Sequence, residues 1–194
     1  MGKVISIINM KGGVGKTTLS IGIADYLSEM GKKVLVIDAD PQFNATQALI
    51  DCYKNEDCES EENFYNTEVL PHEKTIYRLF KPQIDMMHSY NTPAASELII
   101  NLKDNLDILC GDLNLVLVNK VSDHTFVRRI RNFIDDNFLR EKYEYIIIDC
   151  PPTLTIYTDS ALMASDCYLI PNRIDRYSIV GIDSLQKAVH NLIR

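Results

Sequence analysis

The chain has 194 residues, of which 46% are hydrophobic and 24% charged, a composition ordinary for one soluble globular domain. Its net charge of -7 at pH 7 argues against nucleic-acid binding through overall charge, although it leaves room for a local basic patch. Five cysteines without a CxxC pair favour reduced thiols over a disulfide framework, and no apolar run is long enough for a signal peptide or a membrane span. These features predict a cytoplasmic protein.

The first forty residues have the pattern of a βαβ unit. Residues 3–9 are an apolar run that predicts a buried strand, and residues 15–30 place apolar side chains at helical spacing up to a C-capping Gly31. Residues 34–37 form a second uninterrupted apolar run, as expected of a strand covered on both faces in a parallel sheet.

A glycine-rich loop joins the first strand to the first helix. It has the residues expected of a phosphate-binding loop: Lys11, Gly12, Gly13, Val14, Gly15, Lys16, Thr17 and Thr18. Met10 stands where the general motif opens with a glycine. The glycines let backbone N–H groups approach an anion, and the following helix adds its positive N-terminal end. We expect Lys16 to contact the β- and γ-phosphates of a nucleotide and Thr17 to reach a magnesium ion.

The middle of the chain changes in character after Pro41, which blocks continuation of the second strand. Residues 43–50 predict a short helix. Residues 51–75 are strongly acidic and contain no glycine, so we expect an acidic surface insertion with at most short helices. Helices are predicted over 75–81, 93–103, 112–120 and 124–140, and a strand over 106–110.

The last third returns to alternating strands and helices. An apolar strand over 145–149 is followed by a break at two prolines, a helix over 156–164, a strand over 167–170 and a helix from about residue 177. This order predicts an α/β fold with a doubly wound, mostly parallel sheet and helices on both faces. We expect a single domain over residues 1–194.

Three aspartates follow predicted strands, at the edge where ligands bind in open α/β sheets. Asp149 ends an apolar strand downstream of the phosphate loop, the Walker B arrangement in which an acid holds magnesium. We expect Asp40 to orient the attacking water and Asp38 to support the metal shell. The alternative for Asp38 and Asp40 is turn chemistry around Pro41.

These motifs resemble those of the ParA/MinD family of P-loop ATPases over nearly the whole chain. Residues 11–18 are similar to the family's deviant Walker A loop, whose mark is an extra lysine, here Lys11. Residues 38–46 resemble the DxDPQGNAT signature of the ParA branch, and residues 148–152 resemble its Walker B segment. Phe43 stands where that signature usually has glycine. The resemblance implies a P-loop NTPase fold.

The resemblance also implies a function: a slow, magnesium-dependent ATPase in which two subunits sandwich two ATP molecules. Lys11 would reach phosphates across the interface, and Lys16 and Thr17 would keep the roles given above. Thr18 would contact the α-phosphate, and Asp40 matches the acid associated with hydrolysis. ParA-branch proteins act in plasmid or chromosome segregation, bind DNA nonspecifically as ATP dimers and respond to a ParB-like centromere-binding protein. The implied location is the cytoplasm, and the nucleoid where DNA-binding parts are present.

Family members usually continue past the position of Arg194 through a further strand and helices. We therefore expect this domain to lack C-terminal elements that commonly provide adenine contacts and much of the DNA-binding surface.

Three other interpretations compete with the partition ATPase. A MinD-like membrane-cycling ATPase needs a C-terminal amphipathic basic helix, whose lysine-rich face the final helix lacks, so no stable membrane association is expected. A nitrogenase-reductase-like protein needs cluster-binding cysteines in glycine-rich surroundings, which Cys110 and Cys150 do not have. A nucleotide-dependent binding module with negligible turnover is the third alternative, and the acids Asp40 and Asp149 speak against it.

Overall fold

The computed structural model describes residues 1–55, 63–81, 91–118, 124–172, 185–187 and 190. The strands among them are β1 Lys3–Ile7, β2 Val34–Asp38, β3 Ile100–Lys103, β4 Leu106–Leu109, β5 Tyr145–Asp149 and β6 Cys167–Leu169. The α-helices are α1 Lys16–Glu29, α2 Asn44–Tyr53, α3 Tyr77–Phe80, α4 Ala95–Leu98, α5 Leu115–Val118, α6 Arg129–Asp136, α7 Leu139–Lys142 and α8 Ile156–Ala164. A π-helical turn covers Tyr65–Val69 and a 3-10 turn covers His124–Arg128.

The described strands form one sheet in the order β3-β4-β2-β5-β1-β6. Only β3 is antiparallel to its neighbour, β4, and the other described pairs are parallel. In the register of the sheet, Asp149 of β5 is the partner of Ile7 on one side and of Asp38 on the other. The predicted mostly parallel, doubly wound sheet is confirmed, and its central strands end side by side.

Apolar side chains of the central strands alternate between two cores, one on each face of the sheet. On β2, Leu35 and Ile37 join the core that includes α6 and α8, whereas Val34 and Val36 join the core that includes α1 and α2. All four side chains are fully buried, which explains the uninterrupted apolar run. Helices on both faces of the sheet are therefore confirmed as well. None of the described helices is long and apolar enough to cross a membrane.

Two predicted helices are shorter or more broken than the sequence pattern indicates. The helix predicted over 93–103 ends at Leu98, and residues 100–103 form β3 instead. A tight turn, in which Asn105 has a positive φ of 63°, lets β3 pair antiparallel with β4. The helix predicted over 124–140 consists of the 3-10 turn, α6 and α7. It is interrupted at Phe138, whose φ of 52° lies in the left-handed region.

The acidic stretch 51–75 contributes side chains to the core, where the sequence predicted a surface insertion. Tyr65 and Val69 are 7% and 0% exposed and belong to the same buried cluster as Leu49 and Ile50 of α2. These two residues, one helical turn apart, pack on the sheet face, whereas residues 66–68 between them are exposed. Residues 56–62 lie outside the described residues, as does most of the helix predicted from residue 177.

Arg140 of α7 connects the N-terminus of the chain to the end of α8. Its guanidinium donates hydrogen bonds to the carbonyl oxygens of Gly2 and Ala164, at 3.0 and 3.1 Å, and to the Asp166 carboxylate at 2.7 Å. The same carboxylate accepts the Val4 N–H at 2.8 Å.

We predict that Arg140→Met lowers the free energy of unfolding by about 2 kcal/mol, because charge-assisted hydrogen bonds to partly buried groups are lost. Urea denaturation measures this change.

Arg131→Met is the matched control. Arg131 Nε lies 3.5 Å from Asp135 Oδ2, and the two side chains are 56% and 50% exposed, so solvent screens the pair. We expect a loss below about 0.5 kcal/mol for this variant. Equal losses in the two variants would contradict the connecting role of Arg140.

Candidate phosphate-binding site

Glycines shape the loop between β1 and α1. Gly13 and Gly15 have φ angles of 70° and 87°, in the left-handed region that favours glycine. Gly15 caps α1, which begins at Lys16 and is 14 residues long. A helix of this length presents its unpaired N–H groups and the positive end of its dipole at the loop, which favours an anion there.

Asn9, just beyond the end of β1, fixes the start of this loop. Its side-chain oxygen accepts the Lys11 N–H at 2.9 Å, while its amide nitrogen donates to the Pro171 carbonyl and to the Asn172 side chain, both at 2.8 Å. Asn9 is 4% exposed. The loop is therefore coupled to the segment that follows β6. The sequence analysis did not identify Asn9, although a polar residue at the end of an apolar run is a usable signal.

Asp149 is held by two hydroxyl groups of α1. Thr17 Oγ1 donates to Asp149 Oδ2 at 2.8 Å, and Ser20 Oγ is 2.7 Å from Asp149 Oδ1. Ser20 Oγ also lies 3.0 Å from the Lys16 carbonyl oxygen. Sequence analysis paired Thr17 with Asp149 and missed Ser20, which sits one helical turn after Lys16 on the buried side of the helix.

Asp149 is 1% exposed, and its pKa depends on burial and on the other charged residues of the candidate site. Burial raises its pKa to about 6, while the hydrogen bonds from Ser20 and Thr17 act in the opposite direction. The nearby charge of Asp40 raises this pKa further and that of Lys16 lowers it. The structure therefore brings Lys16, Thr17, Asp40 and Asp149 into one electrostatic environment.

The pair of Thr17 and Asp149 suits magnesium. A hydroxyl and a carboxylate are hard oxygen donors, and a magnesium ion bound together with a nucleotide needs only one or two protein groups besides phosphates and waters. Among the described residues there is no group of three or more His, Cys, Asp or Glu side chains that could hold a metal ion. One hydroxyl and one carboxylate fit an ion whose remaining ligands are phosphate oxygens and waters.

Asp38 has a different environment from Asp149, although the two are partners in the sheet. Its Oδ2 accepts the N–H and the hydroxyl of Thr46, each at 2.8 Å, and its Oδ1 accepts the Asp40 N–H at 3.2 Å. The Thr46 hydroxyl also accepts the Gly111 N–H at 2.8 Å. Both oxygens of this fully buried carboxylate therefore accept hydrogen bonds from the turn and from α2, and the place of Asp38 in the metal shell stays a prediction.

The remaining predicted residues lie around the loop. Lys16 is 7% exposed, and its ammonium group donates to the Lys11 carbonyl oxygen at 3.4 Å. The Lys11 and Thr18 residues are exposed. Asp40 Oδ1 accepts the Gln42 N–H at 2.9 Å, which closes the turn after β2.

Known proteins resemble this chain over almost its full length. The family model described as an AAA domain matches residues 2–194. The sporulation initiation inhibitor protein Soj of Bacillus subtilis is 32% identical over 189 residues, which cover 97% of this chain and 65% of Soj. The chromosome partitioning protein ParA of Myxococcus xanthus is 32% identical over 191 residues, which cover 97% of this chain and 58% of that protein.

A solved structure supports the same relationship. A plasmid partition protein from Borrelia burgdorferi B31, bound to AMPPNP, aligns with a TM-score of 0.78 and 26% identity, covering 100% of this chain and 71% of that one. The P-loop NTPase fold expected from the sequence is therefore confirmed. The chain spans less than two thirds of the length of the Soj and ParA relatives, at 65% and 58%.

The buried Asp38 should make stability depend on pH. Burial, followed by the charge of Asp149, raises the pKa of Asp38 to about 7, against the hydrogen bonds from Thr46 and Asp40. The unfolded chain has a lower pKa, about 4, so between these values the folded state binds more protons and stability falls as pH rises. We predict a fall of roughly 2 kcal/mol from this group between about pH 5.5 and 8.

Urea denaturation at several pH values measures this effect when wild type and Asp38→Asn are compared at each pH. The difference in unfolding free energy between them should shift in favour of the variant as pH rises, because the amide side chain of the variant has no proton to lose. Because the charge of Asp149 acts on Asp38, the comparison reports the titration of Asp38 together with this coupling. A difference independent of pH would contradict the raised pKa.

Proposed function

This chain belongs to the AAA-domain family, within its ParA/MinD group, and from that premise we propose that it is a magnesium-dependent partition ATPase. It binds ATP, hydrolyses it slowly and uses the cycle as a dimerisation switch in plasmid or chromosome segregation. The observation that carries this proposal is the joint placement of Lys16, Thr17 and Asp149 at the loop before α1, with the Thr17 hydroxyl 2.8 Å from the Asp149 carboxylate.

Lys16 and the start of α1 form the phosphate-binding part of the proposed site. The buried stem of Lys16 holds its ammonium group at the loop, where the charge adds to the positive end of the helix. Thr17 and Asp149 would hold a magnesium ion, which when bound neutralises charge on the β- and γ-phosphates. With a pKa of about 6, Asp149 is mostly ionised at neutral pH and available to a cation.

A shallow, open pocket beside the loop is suited to the base of the nucleotide. It has a volume of about 550 Å³ and adjoins the phosphate loop through Gly15 and Thr18. Its other lining residues are Val14, Leu19, Gly22, Ile23, Tyr26 and Pro171. Largely apolar walls favour a flat heteroaromatic ring, so the pocket supports a nucleotide over free phosphate as the ligand.

Asp40 is the proposed partner of the attacking water. The N–H of Ala39, its neighbour in the chain, donates to the Asp149 carbonyl oxygen at 2.9 Å, so the Asp40 turn begins beside the strand end that carries Asp149. A carboxylate there orients the water for attack on the γ-phosphorus and accepts its proton, as the new P–O bond forms and the bond to the ADP oxygen breaks.

Lys11 is the proposed sensor of the γ-phosphate between subunits. A lysine that contacts the phosphate bound by the opposite subunit makes the dimer depend on that phosphate, so hydrolysis releases the contact. The proposed partners are a second copy of the chain, a ParB-like centromere-binding protein and nonspecific DNA, and the proposed location is the cytoplasm.

Removal of the Lys16 charge tests nucleotide binding. We predict that Lys16→Ala weakens ATP binding roughly 10- to 100-fold, because a charge-assisted contact with phosphate is lost. Calorimetric titration with ATP and magnesium measures the dissociation constant. Lys33→Ala is the matched control, since Lys33 is an exposed lysine in the turn before β2 and should leave the affinity unchanged. Absence of ATP binding by the wild-type chain would contradict the proposed function.

Removal of the Lys11 charge tests the switch. We predict that the wild-type chain sediments as a dimer with ATP and as a monomer with ADP, whereas Lys11→Ala binds ATP and stays monomeric. The physical reason is that only Lys11 is assigned to the phosphate of the opposite subunit. Analytical ultracentrifugation gives the result. A wild-type chain that binds ATP but remains a monomer, or a Lys11→Ala dimer with ATP, would contradict this role.

A further inference from the structure

Phe43 ends the turn that presents Asp40 and does so in a conformation unfavourable for its residue type. Its φ and ψ angles are 41° and 37°, in the left-handed region, where glycine is at ease and a bulky side chain is rare. Its N–H donates to the Asp40 carbonyl oxygen at 2.8 Å, and its own carbonyl oxygen accepts the Gln47 N–H at 3.0 Å. Such a conformation persists only where surrounding contacts enforce it.

An aromatic stack supplies one such contact. The ring of Phe43 stacks on that of Tyr65, with 5.1 Å between ring centroids and 10° between the planes. Tyr65 is 7% exposed, and its hydroxyl donates to the Gly111 carbonyl oxygen at 2.9 Å. Tyr65 is therefore fixed at its far end by backbone that follows β4, so its ring is a firm support for Phe43.

Gly111, whose carbonyl oxygen holds the Tyr65 hydroxyl, packs directly against the turn that ends at Phe43. A Cβ atom on Gly111 would lie 2.7 Å from Phe43 Cβ and 3.0 Å from Asp38 Cγ, which shows how closely the backbone packs there. The Gly111 N–H also donates to Thr46 Oγ1, and Thr46 donates to Asp38. These contacts link six residues, one to the next, in a closed ring around the turn. The six are Asp38, Thr46, Gly111, Tyr65, Phe43 and Asp40.

We propose that Tyr65 is a positioning residue for the Asp40 turn. Its ring holds Phe43 in the left-handed conformation, and Phe43 in turn fixes the backbone that directs the Asp40 carboxylate. The role of Asp40 in hydrolysis rests on the proposed function, whereas the clamp formed by Tyr65 and Phe43 is a property of the chain without nucleotide. A residue of the acidic stretch 51–75 thereby controls the geometry of the candidate catalytic turn.

Hydrogen exchange of the Phe43 amide tests the clamp directly, without nucleotide. Tyr65→Leu removes the stack, and we expect the Phe43 amide to exchange roughly 10-fold faster because the turn opens more often. Tyr65→Phe keeps the ring and should stay within about threefold of wild type. The matched control is Phe64→Leu, which removes a partly buried aromatic ring from the same core at the neighbouring position.

Single-turnover hydrolysis and ATP affinity test the consequence for Asp40. In Tyr65→Leu we expect the hydrolysis rate to fall roughly 10-fold while the dissociation constant for ATP stays within about twofold, because the phosphate loop is untouched. Tyr65→Phe keeps the ring and loses only the hydrogen bond to Gly111, so its rate should stay within about threefold of wild type.

The outcomes separate the clamp from mere core packing. If Tyr65→Leu and Phe64→Leu speed exchange at Phe43 equally, or if Tyr65→Leu weakens ATP binding as much as it slows hydrolysis, the proposal is overturned. If exchange responds only to Tyr65→Leu but the wild-type chain never hydrolyses ATP, the clamp is supported and the proposed function fails.

Discussion

The hydrogen bonds from α1 to Asp149 are the interaction on which the site depends. A carboxylate at the end of a central strand is buried on folding, and burial of an ionised group is costly unless donors surround it. Thr17 and Ser20 supply those donors, at 2.8 and 2.7 Å. The same contacts dock the first turn of α1 against β5, so the phosphate loop, the helix end and the acid have one fixed geometry. The same two groups, Thr17 and Asp149, are the ones that would hold a cation.

Two aspartates in paired positions of the sheet have different environments because of their neighbours. Asp38 accepts hydrogen bonds from Thr46 and from the Asp40 N–H, which tie it to the turn after β2. Asp149 accepts hydrogen bonds from two hydroxyl groups of the helix that follows the loop. Burial and the charge of a neighbouring carboxylate raise the pKa values of both, to about 7 and about 6. Residue type alone does not separate these environments, since each acid ends an apolar strand.

Several features that the sequence analysis missed depend on tertiary contacts. Residues 100–103 have a helical pattern but pair with β4, which β2 holds in the sheet, and Tyr65 lies in an acidic stretch yet packs in the core. In both cases tertiary packing outweighs local preference. Ser20 and Asn9 escaped notice for the same reason, because their hydrogen-bond partners come from strands and segments far along the chain.

The sequence by itself determined the phosphate loop, the strands that flank it, the parallel sheet and the family. These follow from local rules: glycines where φ is positive, apolar runs in strands buried on both faces, and an acid after the strand. Only the tertiary structure decided which hydrogen bonds hold Asp38 and how Phe43 is held in its turn. The hydrogen bond from Gly111 to Thr46 joins residues 65 positions apart, so only the folded sheet brings the two together.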